Sequence, residues 1–386
     1  MNSRERFFAA VNHREPDKIP YDLGSTHLTG IAYNAYLNLI HHLGIEENTV
    51  SYSDVIQQLA LPSEEVLDRF KADFRGLFPL TSHNWNVYEQ LKDGGDHWIY
   101  DDEWGMTHHF PKENGLYFTI VKSPMENSEP LEEIVHKHNW PDVKDPRRLK
   151  GLKEQALSYR NMDKVVVLKG INAGLFEMMQ RIRGMENALM DTMMYPEFSD
   201  ALIGKLADTK IEFWDMALEE LKDVVDVVVE ADDYGSQESQ LIGPDQFRSM
   251  FKPHIKRVLE FIKQKAPDVK IFFHSCGNVR PIIPDFIEMG VDILNPVHIK
   301  AKGMEPAGLK KDFGNDITFW GGGVDTQGIL PNGTPEEVSE DVKRNIDSLA
   351  PGGGFIFNTV HNIQSEVPVE NMLAMWNTLQ EYGIYK

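Results

Sequence analysis

The chain has 386 residues, of which 39 are Lys or Arg and 60 are Asp or Glu, so that its formal net charge is −21. This negative charge repels polyphosphates and anionic lipid surfaces, which argues against nucleic acids and membranes as partners. No segment is apolar over the length of a signal-peptide core or a membrane span, and Cys276 is the only cysteine, which excludes an intrachain disulfide. We therefore expect a cytoplasmic protein in which the single thiol serves another purpose.

Eight short runs of β-branched or aromatic residues, each followed by a helical pattern, come one after another along the chain. They cover residues 19–23, 73–77, 165–169, 224–230, 270–274, 291–295, 317–320 and 355–358. Strands that alternate with helices predict parallel pairing, and eight such units predict an α/β fold closed into a (β/α)8 TIM barrel. The segment 334–337, Thr-Pro-Glu-Glu, is typical of a helix start with a capping box.

One stretch, residues 81–145, departs from this alternation because it is rich in Trp, Tyr, His, Gly and Pro. Within it, the alternating segments HWIYDDEWGMTHHF and GLYFTIV predict β-hairpins. We interpret this stretch as an inserted lid on a single barrel domain that comprises residues 1–386. Its aromatic side chains either stack on an aromatic ligand or simply pack the insertion, and they include Trp85, Trp98, Tyr100, Trp104, Tyr117 and Phe118.

The segment IFFHSCGNVRP combines a predicted buried strand with an imidazole and a thiol that lie two residues apart at its end. Active sites of barrels of this kind lie at the carboxyl ends of the strands. His274 and Cys276 would supply two of the three protein ligands of a catalytic zinc, and His361, just after the eighth strand, is the natural third ligand. Alternatively, His361 binds substrate together with Asn358, or it is a loop histidine without a role. In the structural alternative, Cys276 is a small buried residue and His274 a hydrogen-bonded strand end.

Further polar side chains follow other predicted strands at the same end of the barrel. We expect Glu230, Asp232 and Tyr234 to act in catalysis, by orienting the substrate or by protonating its leaving atom. Glu230 either completes the metal site or pairs with a lysine, and a solvated turn is the alternative for the acidic residues after it. The residues expected to bind substrate are Tyr21, Asn295, Asp325 and Asn358.

Several segments together resemble the uroporphyrinogen decarboxylase superfamily along nearly the full chain. They are RERFFAAVNHREPDKIPYDLG, DEWG, HSCGNVRPIIPDFIEMGVDILNP, WGGGVDTQ and NTVHNIQSEVPVENMLAMWNT. More narrowly, they are similar to the corrinoid-dependent methyltransferase branch, whose zinc enzymes carry a His-x-Cys pair and a later third ligand. His274 and Cys276 match that pair. The best-known members have a second cysteine as third ligand, whereas this chain has His361 nearby.

The resemblance implies a zinc enzyme that takes a methyl group from a small O-methyl compound, such as a methoxylated aromatic one, or from an N-methyl compound. It also implies transfer of the methyl group to the Co(I) centre of a separate corrinoid protein, and it suggests a homodimer. One thiolate and two imidazoles would leave the zinc with a net positive charge, which suits withdrawal of charge from a leaving group.

Three alternatives stay open. A methyltransferase that works in the opposite direction would carry methyl from the corrinoid to a thiol or a folate. A metal-free decarboxylase is the second, although the segment 21–27, Tyr-Asp-Leu-Gly-Ser-Thr-His, has no arginine where the family's decarboxylases bind carboxylates through arginines. A non-catalytic partner of a corrinoid system is the third.

Overall fold

The computed structural model describes residues 1–46, 50–80 and 90–385. Its strands are β1 (Tyr52–Asp54), β2 (Leu59–Ala60), β3 (Phe74–Leu77), β4 (Lys92–Asp93), β5 (His97–Asp101), β6 (Thr107–Pro111), β7 (Thr119–Lys122), β8 (Val165–Lys169), β9 (Val227–Ala231), β10 (Lys270–His274), β11 (Ile293–Asn295), β12 (Thr318–Trp320) and β13 (Phe355–Ile356). Its helices are Ser3–Val11, Tyr33–Leu43, Glu64–Arg69, Glu132–Lys137, Leu152–Asn161, Leu175–Arg183, Met185–Met194, Pro196–Leu221, Pro244–Gln246, Lys252–Lys265, Ile283–Glu288, Pro306–Phe313, Ile329–Asn332, Pro335–Leu349 and Val369–Tyr382. Within the described ranges, none of these helices has the length and apolarity needed to cross a membrane.

Seven strands form one parallel sheet in the order β13-β12-β11-β10-β9-β8-β3. Its two edges are joined by residues 20–22. On one side, Phe357 N donates to Pro20 O at 2.8 Å and Asp22 N donates to Phe357 O at 3.1 Å, while on the other side Asp73 N donates to Tyr21 O at 2.9 Å. This eighth segment closes the sheet into the predicted (β/α)8 barrel.

The first predicted strand, residues 19–23, is the one that does not form a regular strand. Its ladder is reduced to an isolated parallel bridge between Tyr21 and Phe357. Pro20 has no N–H to donate, and at Gly24 the backbone turns with a φ of 78°, so that the run cannot extend in either direction. The other seven predicted strands are confirmed, with their ends shifted by a few residues.

Side chains of the barrel strands alternate between the barrel interior and the surrounding helices, because successive residues of a strand face opposite sides. On β9, Val227, Val229 and Ala231 belong to the inner apolar cluster, whereas Val228 packs in the outer one. The same alternation on β10 places Phe272 inside. This alternation therefore determines which polar residues of a strand can reach the barrel interior.

The first helix, Ser3–Val11, covers the amino ends of the strands. Arg4 and Arg6 of this helix form ion pairs with Asp226 at 2.9 Å and Asp73 at 2.6 Å, and these two carboxylates directly precede β9 and β3. Phe7 of the helix packs with the inner cluster. The opposite end of the barrel, where the strands finish, is left for the site.

The insertion contains a four-stranded antiparallel sheet in the order β4-β5-β6-β7, which confirms the predicted hairpins. Phe118 N of the insertion donates to Ile56 O, and Met125 N donates to Ile182 O, both at 2.9 Å, and these bonds help to attach the insertion to the rest of the chain. Residues 81–89, which begin the predicted insertion and include Trp85, lie outside the described residues. The action of the insertion as a lid stays a prediction.

Candidate metal centre

His274 is the last residue of β10, and it follows the inner residue Phe272 by two positions, so that its ring lies at the carboxyl end of the barrel interior. Its Nδ1 atom lies 2.5 Å from Asn295 Oδ1, and its Nε2 atom lies 3.3 Å from Cys276 Sγ. The amide nitrogen of Asn295 donates to Trp320 O at 2.7 Å, which turns Oδ1 toward the imidazole. The proton of His274 therefore belongs on Nδ1, and Nε2 presents its lone pair beside the thiol.

His361 approaches this pair from the loop after β13. One potential ligand atom from each of His274, Cys276 and His361 lies within 4.8 Å of the other two. Thr359 Oγ1 donates to His361 O, which braces the loop. In the described part of the chain, no hydrogen-bond partner is found for either ring nitrogen of His361. The structure thus brings together the three residues predicted as metal ligands.

The donor set fits a divalent cation such as zinc. Two imidazoles and one thiol are the ligand types that zinc binds, and three protein ligands with one open position are typical of a catalytic site. Burial, and then the neighbouring His274, lower the pKa of His361 to about 4, so that its ring is neutral and able to ligate at pH 7. Burial, together with Asp233 and Glu177, raises the pKa of the Cys276 thiol, and a bound cation has the opposite effect on a thiol.

Asp233 is the carboxylate closest to this group. Its Oδ1 atom accepts a hydrogen bond from Cys276 N at 2.7 Å and lies 3.6 Å from His274 Nε2. It thereby fixes the backbone of the His-x-Cys turn, and it keeps a negative charge beside the predicted ligands.

Glu230 does not belong to this group. It follows Val229 on β9 and faces outward, where its carboxylate accepts from Lys210 Nζ at 2.7 Å and from Trp214 Nε1 at 2.6 Å. Both partners lie on the helix Pro196–Leu221. This arrangement matches the structural alternative for Glu230, a carboxylate that pairs with a lysine.

Asp232 and Tyr234 are held in bonds to each other and to a helix. Asp232 accepts from Phe176 N at 2.9 Å and Glu177 N at 3.0 Å, at the amino end of the helix Leu175–Arg183, and also from Tyr234 OH at 2.5 Å. Burial, followed by the charge of Glu177, raises the pKa of Asp232 to about 7. The Tyr234 ring is fully buried and stacks on Phe176. Both side chains therefore hold the loop that follows β9 in place.

The four residues expected to bind substrate are buried, and their side chains or backbones are bonded within the protein. Asn295 orients His274, as described above. Asn358 Nδ2 donates to Asp22 O at 3.1 Å, and Asp325 accepts from Gln327 N at 2.9 Å in its own loop. Tyr21 packs in the outer cluster. The structure brings only Asn295 of these four into bonding distance of a predicted metal ligand.

Three residues near the predicted metal ligands were not identified from the sequence. Burial raises the pKa of Glu177, and among its neighbours Asp233 raises this pKa while His274 lowers it. His27 interacts electrostatically with His274 and His361, and its Nδ1 atom is buried with no partner in the described structure. His298 accepts from Gly277 N at 3.1 Å. These residues stand in loops or helices far apart along the chain, so no local motif marks them.

Together these features define a class of protein, a (β/α)8 barrel in which a His-x-Cys pair and a second histidine gather at the carboxyl ends of the strands. The chain belongs to the uroporphyrinogen decarboxylase (URO-D) family, whose family model matches residues 102–382.

Two relatives from this family illustrate the sequence similarity. The uroporphyrinogen decarboxylase of Chlorobium limicola is 23% identical over 234 residues, which are 58% of this chain and 62% of that protein. The chain thus spans less than two thirds of that relative's length. The uroporphyrinogen decarboxylase of Pelodictyon phaeoclathratiforme is 22% identical over 294 residues, which are 73% of this chain and 77% of that protein.

The solved structure of a methyltransferase from Methanosarcina mazei is similar over 99% of both chains, with a TM-score of 0.62. The sequence identity is 15%, so that the similarity shows a shared fold.

Proposed function

We propose that the protein is a zinc-dependent methyltransferase, which removes the methyl group of a small O-methyl compound and passes it to the Co(I) centre of a separate corrinoid protein. The observation that carries this proposal is the convergence of His274, Cys276 and His361 within ligand distance of one another. Family membership and the fold shared with a protein named methyltransferase support the same class of reaction. The same metal ligands would also suit a reaction in which the methyl donor is an N-methyl compound.

Zinc bound by these residues would supply Lewis acidity, which withdraws charge from the leaving atom of the methyl donor. The residues of the chain prepare this task. Asn295 fixes the tautomer and the orientation of His274, and Asp233 holds the backbone of Cys276. The mixed set of one thiolate and two imidazoles leaves a positive charge at the centre, in line with removal rather than delivery of a methyl group.

The leaving oxygen needs a proton when its bond to the methyl carbon breaks. The electron pair of that bond stays on oxygen, while the electron pair of Co(I) forms the new bond to carbon. The carboxylates of Glu230 and Asp232 each accept two or more short hydrogen bonds within the protein, and the Tyr234 hydroxyl donates to Asp232. The carboxylate of Glu177 accepts one longer bond in the described structure, from Arg181 Nη2 at 3.2 Å, and we therefore assign the proton to Glu177. Burial raises the pKa of Glu177 and Asp233 raises it further, against the opposing charge of Arg181, which favours a protonated carboxyl.

The metal is tested first, by elemental analysis of the purified protein beside the variants Cys276→Ala, His361→Ala and His254→Ala. We expect one zinc per chain in the wild type and its loss in the first two variants, while the His254→Ala control, a histidine paired with Asp200 at 2.8 Å, keeps it. Circular dichroism shows whether each variant is folded. A zinc-supplied wild type without bound metal would refute the proposal and favour the decarboxylation named in the relatives.

The proton donor is tested by Glu177→Gln in a methyl-transfer assay with a Co(I) corrinoid and methoxybenzoates as donors. Loss of a general acid should lower the rate about 10²–10⁴-fold and remove the fall in rate toward high pH, while zinc content stays unchanged. A variant that keeps the wild-type rate and pH profile would show that another group, with Asp233 the nearest, supplies the proton.

A further inference from the structure

A lysine and a histidine meet at the amino end of the barrel, on the side opposite the predicted metal ligands. His13 follows the first helix, Ser3–Val11, whose Ala10 O accepts from Gly354 N just before β13. Lys310 stands on the helix Pro306–Phe313 and donates from Nζ to Gly353 O. The loop that leads into β13 therefore holds both side chains.

Gly354 lets the two nitrogen atoms approach the same small area of backbone. A Cβ atom at this position would stand 2.8 Å from His13 Nδ1 and 3.3 Å from Lys310 Nζ. Gly354 also has a φ of 67°, which residues with a side chain rarely adopt. A larger residue here would displace the pair, so the glycine is needed for the two nitrogens to lie together.

His13 has a ring nitrogen that is available to a neighbour. Its Nδ1 atom is buried and has no hydrogen-bond partner in the described ranges. Burial, and then Lys310, lower the pKa of His13, against a hydrogen bond to the backbone of Gly314, while Asp316 and Lys270 act on it in opposite directions. The ring is therefore neutral at pH 7 and can accept a proton.

Lys310 is a half-buried amine without an anionic partner. Within the part of the chain that the structure describes, no carboxylate lies within ion-pair distance of its Nζ atom. Burial lowers the pKa of Lys310 from 10.5 to about 8, and Glu15 acts against this shift. At pH 8 about half of Lys310 is thus free amine, compared with about 0.4% of an ordinary lysine. A free lysine amine is a nucleophile.

We propose that Lys310 is an acylation site, at which a small acyl phosphate transfers its acyl group to Nζ with His13 as the base. The lone pair of Nζ attacks the carbonyl carbon and forms the C–N bond. The bond from that carbon to the phosphate oxygen breaks, and phosphate leaves with the electron pair. His13 takes the proton that the nitrogen loses. The product is an amide, which removes the positive charge beside Gly353.

Incubation of the purified protein with acetyl phosphate, followed by mass spectrometry of its peptides, tests the site. Lys311 is a matched control within the same protein, because it is the next residue of the helix and is exposed. At pH 7.5 Lys310 should be acetylated about ten-fold faster or more, since far more of it is free amine. Its rate should level off above about pH 8, whereas the rate at Lys311 should keep rising toward pH 10.

The role of His13 is tested with His13→Asn. Asparagine tolerates the φ of 51° at this position, so the substitution removes the base and keeps the backbone. Acetylation of Lys310 should fall about ten-fold, with no change at Lys311, and circular dichroism shows whether the variant is folded.

Equal rates at the two lysines, or a rate at Lys310 that rises up to pH 10, would overturn the acylation site. A wild-type rate at Lys310 in His13→Asn would overturn the assignment of His13 as the base. Neither measurement requires zinc or a corrinoid protein, so the outcome is independent of the function proposed above.

Discussion

Asn295 shows how one buried amide controls the chemistry of its neighbour. Its side chain is fully buried, its amide nitrogen donates a hydrogen bond to Trp320 O, and its amide oxygen accepts one from His274 Nδ1. The second nitrogen of a metal-binding histidine commonly has such a partner, which fixes the ring and raises the basicity of the ligand.

We predict that Asn295→Ala weakens zinc binding about 10–100-fold, because the His274 ring loses the hydrogen bond that orients it. The measurement is a competition titration against a chelator of known affinity. Asn371→Ala is a matched control, since Asn371 is an equally buried amide that donates to Leu330 O and Gly333 O. Equal zinc affinity in the two variants would show that His274 is oriented by its packing alone.

The ligand group was within reach of sequence reasoning, whereas the roles of the surrounding carboxylates were not. His274 and Cys276 stand on a compact motif at a strand end. Glu230 also ends an apolar run, but in a strand buried on both faces the pattern does not reveal which face is the interior. The sequence likewise does not reveal that the adjacent residues Asp232 and Asp233 point in different directions, Asp232 toward Phe176 N and Asp233 toward Cys276 N. Glu177 becomes visible only when the helix after β8 is placed beside the loop after β9.

The helix Pro196–Leu221 is fastened to β9 by the buried pair of Lys210 and Glu230, whose side chains are 2% and 5% exposed. Removing one partner of such a pair leaves a buried charge alone, whereas removing both leaves an apolar contact. The pair therefore serves to dock this helix on the strand.

We predict that Lys210→Met lowers the free energy of unfolding by about 3–5 kcal/mol, and that adding Glu230→Leu to it recovers a large part of this loss. Urea unfolding of the two single variants and the double variant measures the coupling. Lys265→Met, which removes the surface ion pairs to Asp215 and Glu219 of the same helix, should cause a much smaller loss, of about 1 kcal/mol or less. Additive effects of the Lys210 and Glu230 substitutions would contradict this docking role.

Among the elements, the seven regular strands follow from apolar runs of sufficient length, and the sequence predicts them closely. The sequence predicts the position of the remaining element, residues 19–23, but not that it pairs through an isolated bridge instead of a regular ladder. Its single bridge depends on Pro20 and on partners at Asp73 and Phe357, which lie more than 50 and 330 residues away along the chain. Such long-range pairing is decided by the whole barrel and not by local propensity.

At the scale of the whole molecule, barrel stability depends on an acidic group inside the closing segment. Asp22 is fully buried, its Oδ1 atom accepts from Ser25 N at 3.0 Å, and its Oδ2 atom has no partner in the described structure. Burial raises the pKa of Asp22 from 3.8 to about 6, although hydrogen bonds from neighbouring residues oppose the shift. The folded protein thus holds a proton here that the unfolded chain releases.

We predict that the contribution of Asp22 to the free energy of unfolding decreases by about 3 kcal/mol as the pH rises from about 4 to about 6. Above that range the contribution stays constant, because Asp22 is then ionised in both states. Asp22→Asn keeps the acceptor for Ser25 N and should abolish this part of the pH dependence. Urea unfolding of both proteins across this range measures it, and a difference between them that does not vary with pH would refute the assignment.

The closure of the sheet by residues 20–22 has a consequence for synthesis on the ribosome. The strands β3 and β8 to β13 follow one another in the sheet in the same order as in the chain, with the insertion between β3 and β8, so these strands can pair in the order in which they emerge. The closing hydrogen bonds between Phe357 and residues Pro20 and Asp22, however, cannot form until Phe357 has left the exit tunnel. Until then the nascent sheet keeps an open edge, which is the period when it is most exposed to chaperones and to aggregation.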